Sequence, residues 1–137
     1  MKYYAVIDTN VIVSAFLKKD SIPDAILNLS LNGYIIPLIN DEIISEYYDV
    51  LSRDKFRFDQ KIVNDFIDEI KERSLFIYPD HYENNIIDLK DVIFYEVVME
   101  KRKSSDAYLI TGNTKHFPVE PFILTPKEML ELILDNI

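Results

Sequence analysis

Five short apolar runs punctuate the chain: Tyr4 to Ile7, Tyr34 to Ile39, Leu75 to Tyr78, Ala107 to Thr111 and Pro121 to Leu124. They lack the polar and apolar alternation of strands with one wet face, so they read as strands covered on both faces, the habit of parallel sheets. Between them lie segments with apolar residues at helical spacing, such as Ile62, Val63, Phe66, Ile67 and Ile70. Strands alternating with helices predict an α/β, three-layer fold: a mainly parallel sheet of about five strands sandwiched by helices. Local signals agree. The spacing predicts helices over Val11 to Lys18, from Ser21 or Ile22 to Asn32-Gly33, over Asp41 to Ser52, from Asp59 or Gln60 to Arg73, and from Lys90 or Asp91 to Lys103. Thr125-Pro126-Lys127-Glu128 is a capping box with proline at the first helical position. Pro37 lacks an N–H and fits its strand only where one edge goes unpaired.

The first run, Tyr4-Ala5-Val6-Ile7, ends at Asp8-Thr9-Asn10 before apolar residues resume. Ligands of open α/β sheets gather at the carboxyl ends of strands, where Asp8 would stand. Thr9 and Asn10 could orient its carboxylate. The simpler reading makes Asp8 a helix cap, since Asp is favoured there.

With 137 residues the chain fits one domain, 1–137. It has no cysteine, which excludes disulfides and thiolate metal sites. It shows neither a signal peptide nor an apolar run long enough to span a bilayer, so the expectation is a cytoplasmic protein without membrane contact. A net charge of −9 argues against sequence-blind electrostatic binding of nucleic acid, which needs Lys and Arg on the phosphates. It leaves open a nucleic-acid chemistry in which carboxylates hold a divalent cation and the cation meets the phosphate.

The question is therefore where the acids lie. On the third helix Ile43, Ile44, Tyr47, Val50 and Leu51 define the inward arc; Glu42 and Asp49 point away, but Glu46 falls at its edge beside Val50. Asp91 repeats that placement next to Val98, on a helix whose arc is Ile93, Phe94, Val97 and Val98, while Glu96 and Glu100 project farther out. Asp88 precedes it in a loop. Acids at a helix start also suit the macrodipole without any further role. The fourth run delivers Thr111-Gly112-Asn113 to the same sheet edge as Asp8; Asn113 could offer an oxygen to a hard cation or simply occupy a turn.

Val6-Ile7-Asp8-Thr9-Asn10-Val11, Ser45-Glu46 with Val50-Leu51, Asp88-Leu89-Lys90-Asp91, and Tyr108-Leu109-Ile110-Thr111-Gly112-Asn113 with His116-Phe117 stand in order along the chain. In this series the sequence resembles the PIN-domain nucleases, in particular the toxin-like ribonucleases of type II toxin–antitoxin systems. The resemblance implies a divalent-metal-dependent ribonuclease with Asp8, Glu46 and Asp91 as catalytic, metal-holding acids. It implies Mg²⁺ or Mn²⁺ as cofactor, with Asn113 at a fourth ligand position that is often Asp in the family. Thr9, Asn10, Asp88 and Thr111 would support the ligands. The implied partners are an RNA substrate, a small antitoxin protein and a second copy in a homodimer.

Lys101-Arg102-Lys103, the densest basic run, is the expected RNA-binding segment, joined by Arg53, Lys55 and Arg57; the same charges also suit a helix C-terminus. His116 is expected to close a turn, and His81 to be exposed without a partner. Two rivals stand beside the nuclease. A degenerate domain of the same family would bind RNA or a protein without cleaving, which Asn113 in place of an acid favours. A phosphohydrolase with Asp8 as nucleophile would want a second acid two residues on, where this chain has Asn10.

Overall fold

The computed structural model describes residues 2–137. In chain order the elements are β1 (Tyr3–Ile7), α1 (Thr9–Leu17), α2 (Ile22–Leu31), β2 (Ile35–Ile39), α3 (Asp41–Leu51), α4 (Gln60–Arg73), β3 (Leu75–Phe76), α5 (Leu89–Arg102), β4 (Ala107–Ile110), β5 (Ile123–Leu124) and α6 (Pro126–Asp135). Single 3-10 turns lie at Asp54–Phe56 and Thr114–His116. The five strands form one sheet in the order β3-β2-β1-β4-β5, every pair parallel. This is the predicted α/β architecture, and the mainly parallel sheet proves wholly parallel among the described residues.

β1 lies at the centre. Ala5, Val6 and Ile7 are all buried, although successive side chains point to opposite faces, so helices cover the sheet on both sides. α5 packs on β1, β2 and β4, α2 and α4 on β2, and α6 on β5. Tyr47 and Phe94 stack with ring centroids 6.3 Å apart and lock α3 to α5 in the core.

Local chemistry sets the boundaries. Ser21 caps α2 by accepting the Asp24 N–H, with Pro23 in the first turn. At the other end Gly33 takes the left-handed φ of +84° and the Tyr34 N–H reaches back to the Leu29 carbonyl, a Schellman closure. Thr125 and Glu128 form the full capping box at α6. β3 is shorter than its apolar run because β2 ends at Ile39, and β5 because Pro121 and Phe122 lie in a turn closed by the Ile123 N–H on the Glu120 carbonyl. Pro37 sits inside β2, opposite Ala5 of β1. The Tyr34 carbonyl bonds toward β1 and the Ile39 carbonyl toward β3. By alternation Pro37 faces the β3 side, where pairing begins only at Leu38, so its missing N–H leaves no partner unpaired.

Candidate active site

The strand order reverses direction at the β1–β4 pair: from β1 the sheet grows one way through β2 and β3, the other way through β4 and β5. Open α/β sheets bind ligands at such a switch point, beyond the carboxyl ends of the strands. Asp8 and Thr111 are the first residues past β1 and β4. The Asp8 N–H bonds to the Ile110 carbonyl at 2.9 Å, which holds the two strand ends in register.

Asp8 occupies the N-cap position of α1, yet its side chain makes no capping hydrogen bond. It turns across the switch point instead. The Thr111 hydroxyl donates to Asp8 Oδ2 at 2.8 Å, and the Asn10 amide nitrogen approaches the same oxygen at 3.4 Å. Thr111, fully buried, also accepts the Asn113 N–H at 3.0 Å, and Asn10 Oδ1 accepts the Gly112 N–H at 3.0 Å. Asp8, Asn10, Thr111, Gly112 and Asn113 are thus tied into one network. A Cβ on Gly112 would lie 3.4 Å from Asn10 Oδ1, an ordinary contact. Glycine there is therefore not forced by sterics.

Asp8 is only 6 % exposed. Burial pushes its carboxyl up to about 6 from the ordinary 3.8. The Thr111 hydroxyl pulls it down, the charge of Asp91 adds to the rise, and the Thr9 and Asn10 backbone amides lower it further. Asp91 is also raised, first by burial and then by Asp88, while His116 opposes the rise. Its side chain is 15 % exposed, and His116 Nδ1 lies 3.4 Å from Asp91 Oδ2. Among the described residues no Lys or Arg pairs with either acid. Two carboxylates whose charges act on each other, with no Lys or Arg on either, are donors of the kind a hard divalent cation takes. They do not form a closed cage: among the described residues no three His, Asp or Glu side chains converge tightly enough to enclose an ion.

The other expected residues distribute around this pair. Glu46 is half-buried at the edge of its helix as expected, but it lines a separate surface hollow with Ser45, Asp49 and Lys90. Asp88 caps α5 through the Lys90 N–H, and its charge acts on Asp91. Asn113 lines a cleft with Asn10 and Gly112, apart from the hollow that holds Asp88, Asp91 and His116. The Thr9 hydroxyl, expected to orient Asp8, is buried without a hydrogen-bond partner among the described residues, and Thr9 acts on Asp8 through its backbone amide alone.

The basic run lies elsewhere. The Arg102 guanidinium donates to the carbonyl of Ala107 at the start of β4, the opposite edge of the sheet from Asp8, and rests over Phe122 at 4.1 Å. Lys101 covers Tyr4, and Lys103 bridges Glu100 and Asp80. Asp91 and Lys101 are about 15 Å apart along α5 by helical rise alone. Arg53 pairs with Asp49, and Lys55 covers Phe56. His81 has a partner after all: its Nδ1 is 3.0 Å from Glu96, which also accepts the Tyr82 N–H. Glu96 and Glu100, read as outward charges, anchor the loop over residues 80–88 to α5.

One positioning residue was not singled out from sequence. The hydroxyl of Tyr47, buried in the core, donates to the Ile7 carbonyl directly before Asp8. Burial and then the Asp8 charge raise its phenol well above the ordinary range. A tyrosine on an inward arc must place its hydroxyl against some acceptor, and that requirement was the available signal.

No helix among the described residues is long and apolar enough to cross a membrane. A family model described as PIN domain matches residues 4–115, from β1 into the turn after β4, and so takes in Asp8, Glu46, Asp91 and Asn113. No curated protein matches the chain.

Proposed function

The chain belongs to the PIN-domain family, whose members are generally nucleases, and from that premise we propose that it is a divalent-metal-dependent ribonuclease, the toxin of a toxin–antitoxin pair. The observation that carries this reading is the Asp8–Asp91 pair at the switch point: two desolvated carboxylates, both pushed up, with no lysine or arginine on them. Asp8 and Asp91 would hold the Mg²⁺ or Mn²⁺, with Glu46 of α3 as the third acid. Bound there, the ion would supply the positive charge that meets a phosphodiester and would acidify a water.

The chain's own residues set the rest. Thr111 and Asn10 both bind Oδ2 of Asp8 and so fix the plane of its carboxylate. Tyr47 holds the backbone directly before Asp8 through the Ile7 carbonyl. His116 Nδ1 lies 3.4 Å from Asp91 Oδ2, in the hollow that also holds Asp88. Asn10 is tied to Gly112 and carries no charge, which disfavours the phosphohydrolase reading.

The test is cleavage of single-stranded RNA by wild type and by Asp8→Asn and Asp91→Asn with Mn²⁺, Mg²⁺ or EDTA. Wild-type cleavage that depends on metal and falls at least a hundredfold in both variants is expected. Cleavage that survives EDTA overturns the metal dependence, and none under any condition favours the binding-only domain. The same reading carries a small antitoxin and a homodimer, which relief of growth inhibition on coexpression and the mass in solution would check.

A further inference from the structure

The cleft that takes in Asn113 is not accounted for by the acids. It has a volume of about 480 Å³, within the range of roughly 300–1,000 Å³ usual for small-molecule sites. Its walls come from the first turns of α1 and α2, the exit of β4 and the start of α6. On the side toward Asp8 the wall is Asn10 and Gly112, members of the network that fixes the Asp8 carboxylate. A nucleotide whose phosphodiester lies at Asp8 and Asp91 therefore has this cleft as its immediate neighbour.

The lining has two characters. Ile22, Pro23 and Pro126 give flat, rigid apolar contact. Opposed to them is polar capacity that the fold does not use. The Asn113 side chain makes no hydrogen bond among the described residues, although its backbone N–H and carbonyl are both engaged. Lys127 lines the cleft without an ion pair among the described residues. The N-terminus of α6 is no anion site, because Thr125 and Glu128 already fill it. Single-stranded RNA is read in this manner, with the base laid against apolar contacts and its edge hydrogen-bonded. A side-chain amide offers a donor beside an acceptor, which pairs with the Watson–Crick edge of any of the four bases.

We propose that this cleft is a nucleobase subsite for the nucleotide adjoining the cleaved bond, in which Asn113 hydrogen-bonds the base edge and Lys127 meets the phosphate. The proposal rests on the ribonuclease reading for its place in the reaction, but not for binding. Asn113 is then a base-binding residue rather than a metal ligand.

The experiment titrates metal-free protein, in EDTA, with the four nucleoside 5′-monophosphates and with ribose 5-phosphate, and follows backbone amide shifts by NMR. The nucleotides should move the Gly112, Asn113 and Lys127 amides at about tenfold lower concentration than ribose 5-phosphate, the contribution of one bidentate amide pair. Asn113→Leu, at an exposed position, should erase that difference, and Lys127→Gln should weaken all five ligands alike. Shifts absent at millimolar ligand, lying outside the cleft, or unchanged by Asn113→Leu overturn the subsite. RNA cleavage is scored separately. Cleavage by wild type without nucleotide shifts in the cleft overturns the subsite and spares the nuclease. Nucleotide binding in the cleft without any cleavage sinks the nuclease and leaves the subsite standing.

Discussion

Replacing Asp8 with asparagine should stabilise the metal-free protein while abolishing cleavage. The Asp8 carboxyl sits at about 6 in the folded chain against 3.8 in a solvated one. At roughly 1.4 kcal/mol per unit, a rise from 3.8 to about 6 makes ionised Asp8 a burden of about 3 kcal/mol on the fold. The sign follows from proton counting. Between the two values the folded state holds the proton that the unfolded state has released, so stability falls as pH rises through this window, and the loss is complete above about 6. The uncharged amide of Asp8→Asn would carry no such burden, and its oxygen can still accept the Thr111 hydroxyl. The gain is a ceiling, because the new amide nitrogen needs an acceptor. A full 3 kcal/mol would raise the melting point by roughly 10 °C in a chain of this size. Thermal melts in EDTA at a series of pH values measure it: the variant should lead at pH 7.5, and most of the gap should close by pH 4. A gap of equal size at both pH values, or a variant less stable at pH 7.5, would refute the claim that a buried, uncompensated charge at Asp8 sets it.

Mn²⁺ or Mg²⁺ should raise the melting point of wild type but not of Asp8→Asn; saturation at a hundred times Kd is worth about 2.7 kcal/mol, and no shift at millimolar metal would leave the acid pair without an ion. Tyr47→Phe removes the hydroxyl that satisfies the buried Ile7 carbonyl, so chemical denaturation should show a loss of about 1–3 kcal/mol, with reduced cleavage as the edge around Asp8 loosens. Thr111→Val takes away the side chain that lowers Asp8; in that background the stability gap between Asp8 and Asp8→Asn should be larger at pH 7.5 and reach its plateau at higher pH, which the same melts would reveal. Glu96→Ala releases both His81 and the Tyr82 N–H, and hydrogen exchange over residues 80–88 should rise with little change in overall stability.

What was legible in the sequence follows the physical reach of each signal. Strand and helix identities came from periodicity and caps, which are local, and Thr125–Glu128 and Asn32-Gly33 behave as read. Asp8, Asp91 and Thr111 were legible because a parallel sheet brings strand ends to one edge, so position along the chain alone places them there. The contacts made by side chains were not. That the Thr9 hydroxyl holds no carboxylate, that Asn10 bonds Gly112, and that Glu96 grips His81 all depend on rotamers and on pairs separated by up to 102 positions.

The basic run shows why a charge count misleads in this architecture. A helix that starts beside the carboxyl edge of a parallel sheet must end beside the amino edge, where the next strand begins. α5 begins with Asp88 and Asp91 at the site and ends with Arg102 bonded to Ala107 at the foot of β4. Charge in its last turn is therefore directed away from the chemistry that its first turn serves. Lys101 and Arg102 are spent on Tyr4 and Phe122, and Lys103 on Glu100 and Asp80. In a chain with net charge −9, the cations able to meet a phosphate at the working edge must follow a strand end or open a helix. Lys90, Lys115 and Lys127 are placed that way, in the first turn of α5, after β4 and at the start of α6. Under the ribonuclease proposed above, RNA would cross the strand ends between Lys115 near Asp91 and Lys127 near Asn113, rather than run along α5.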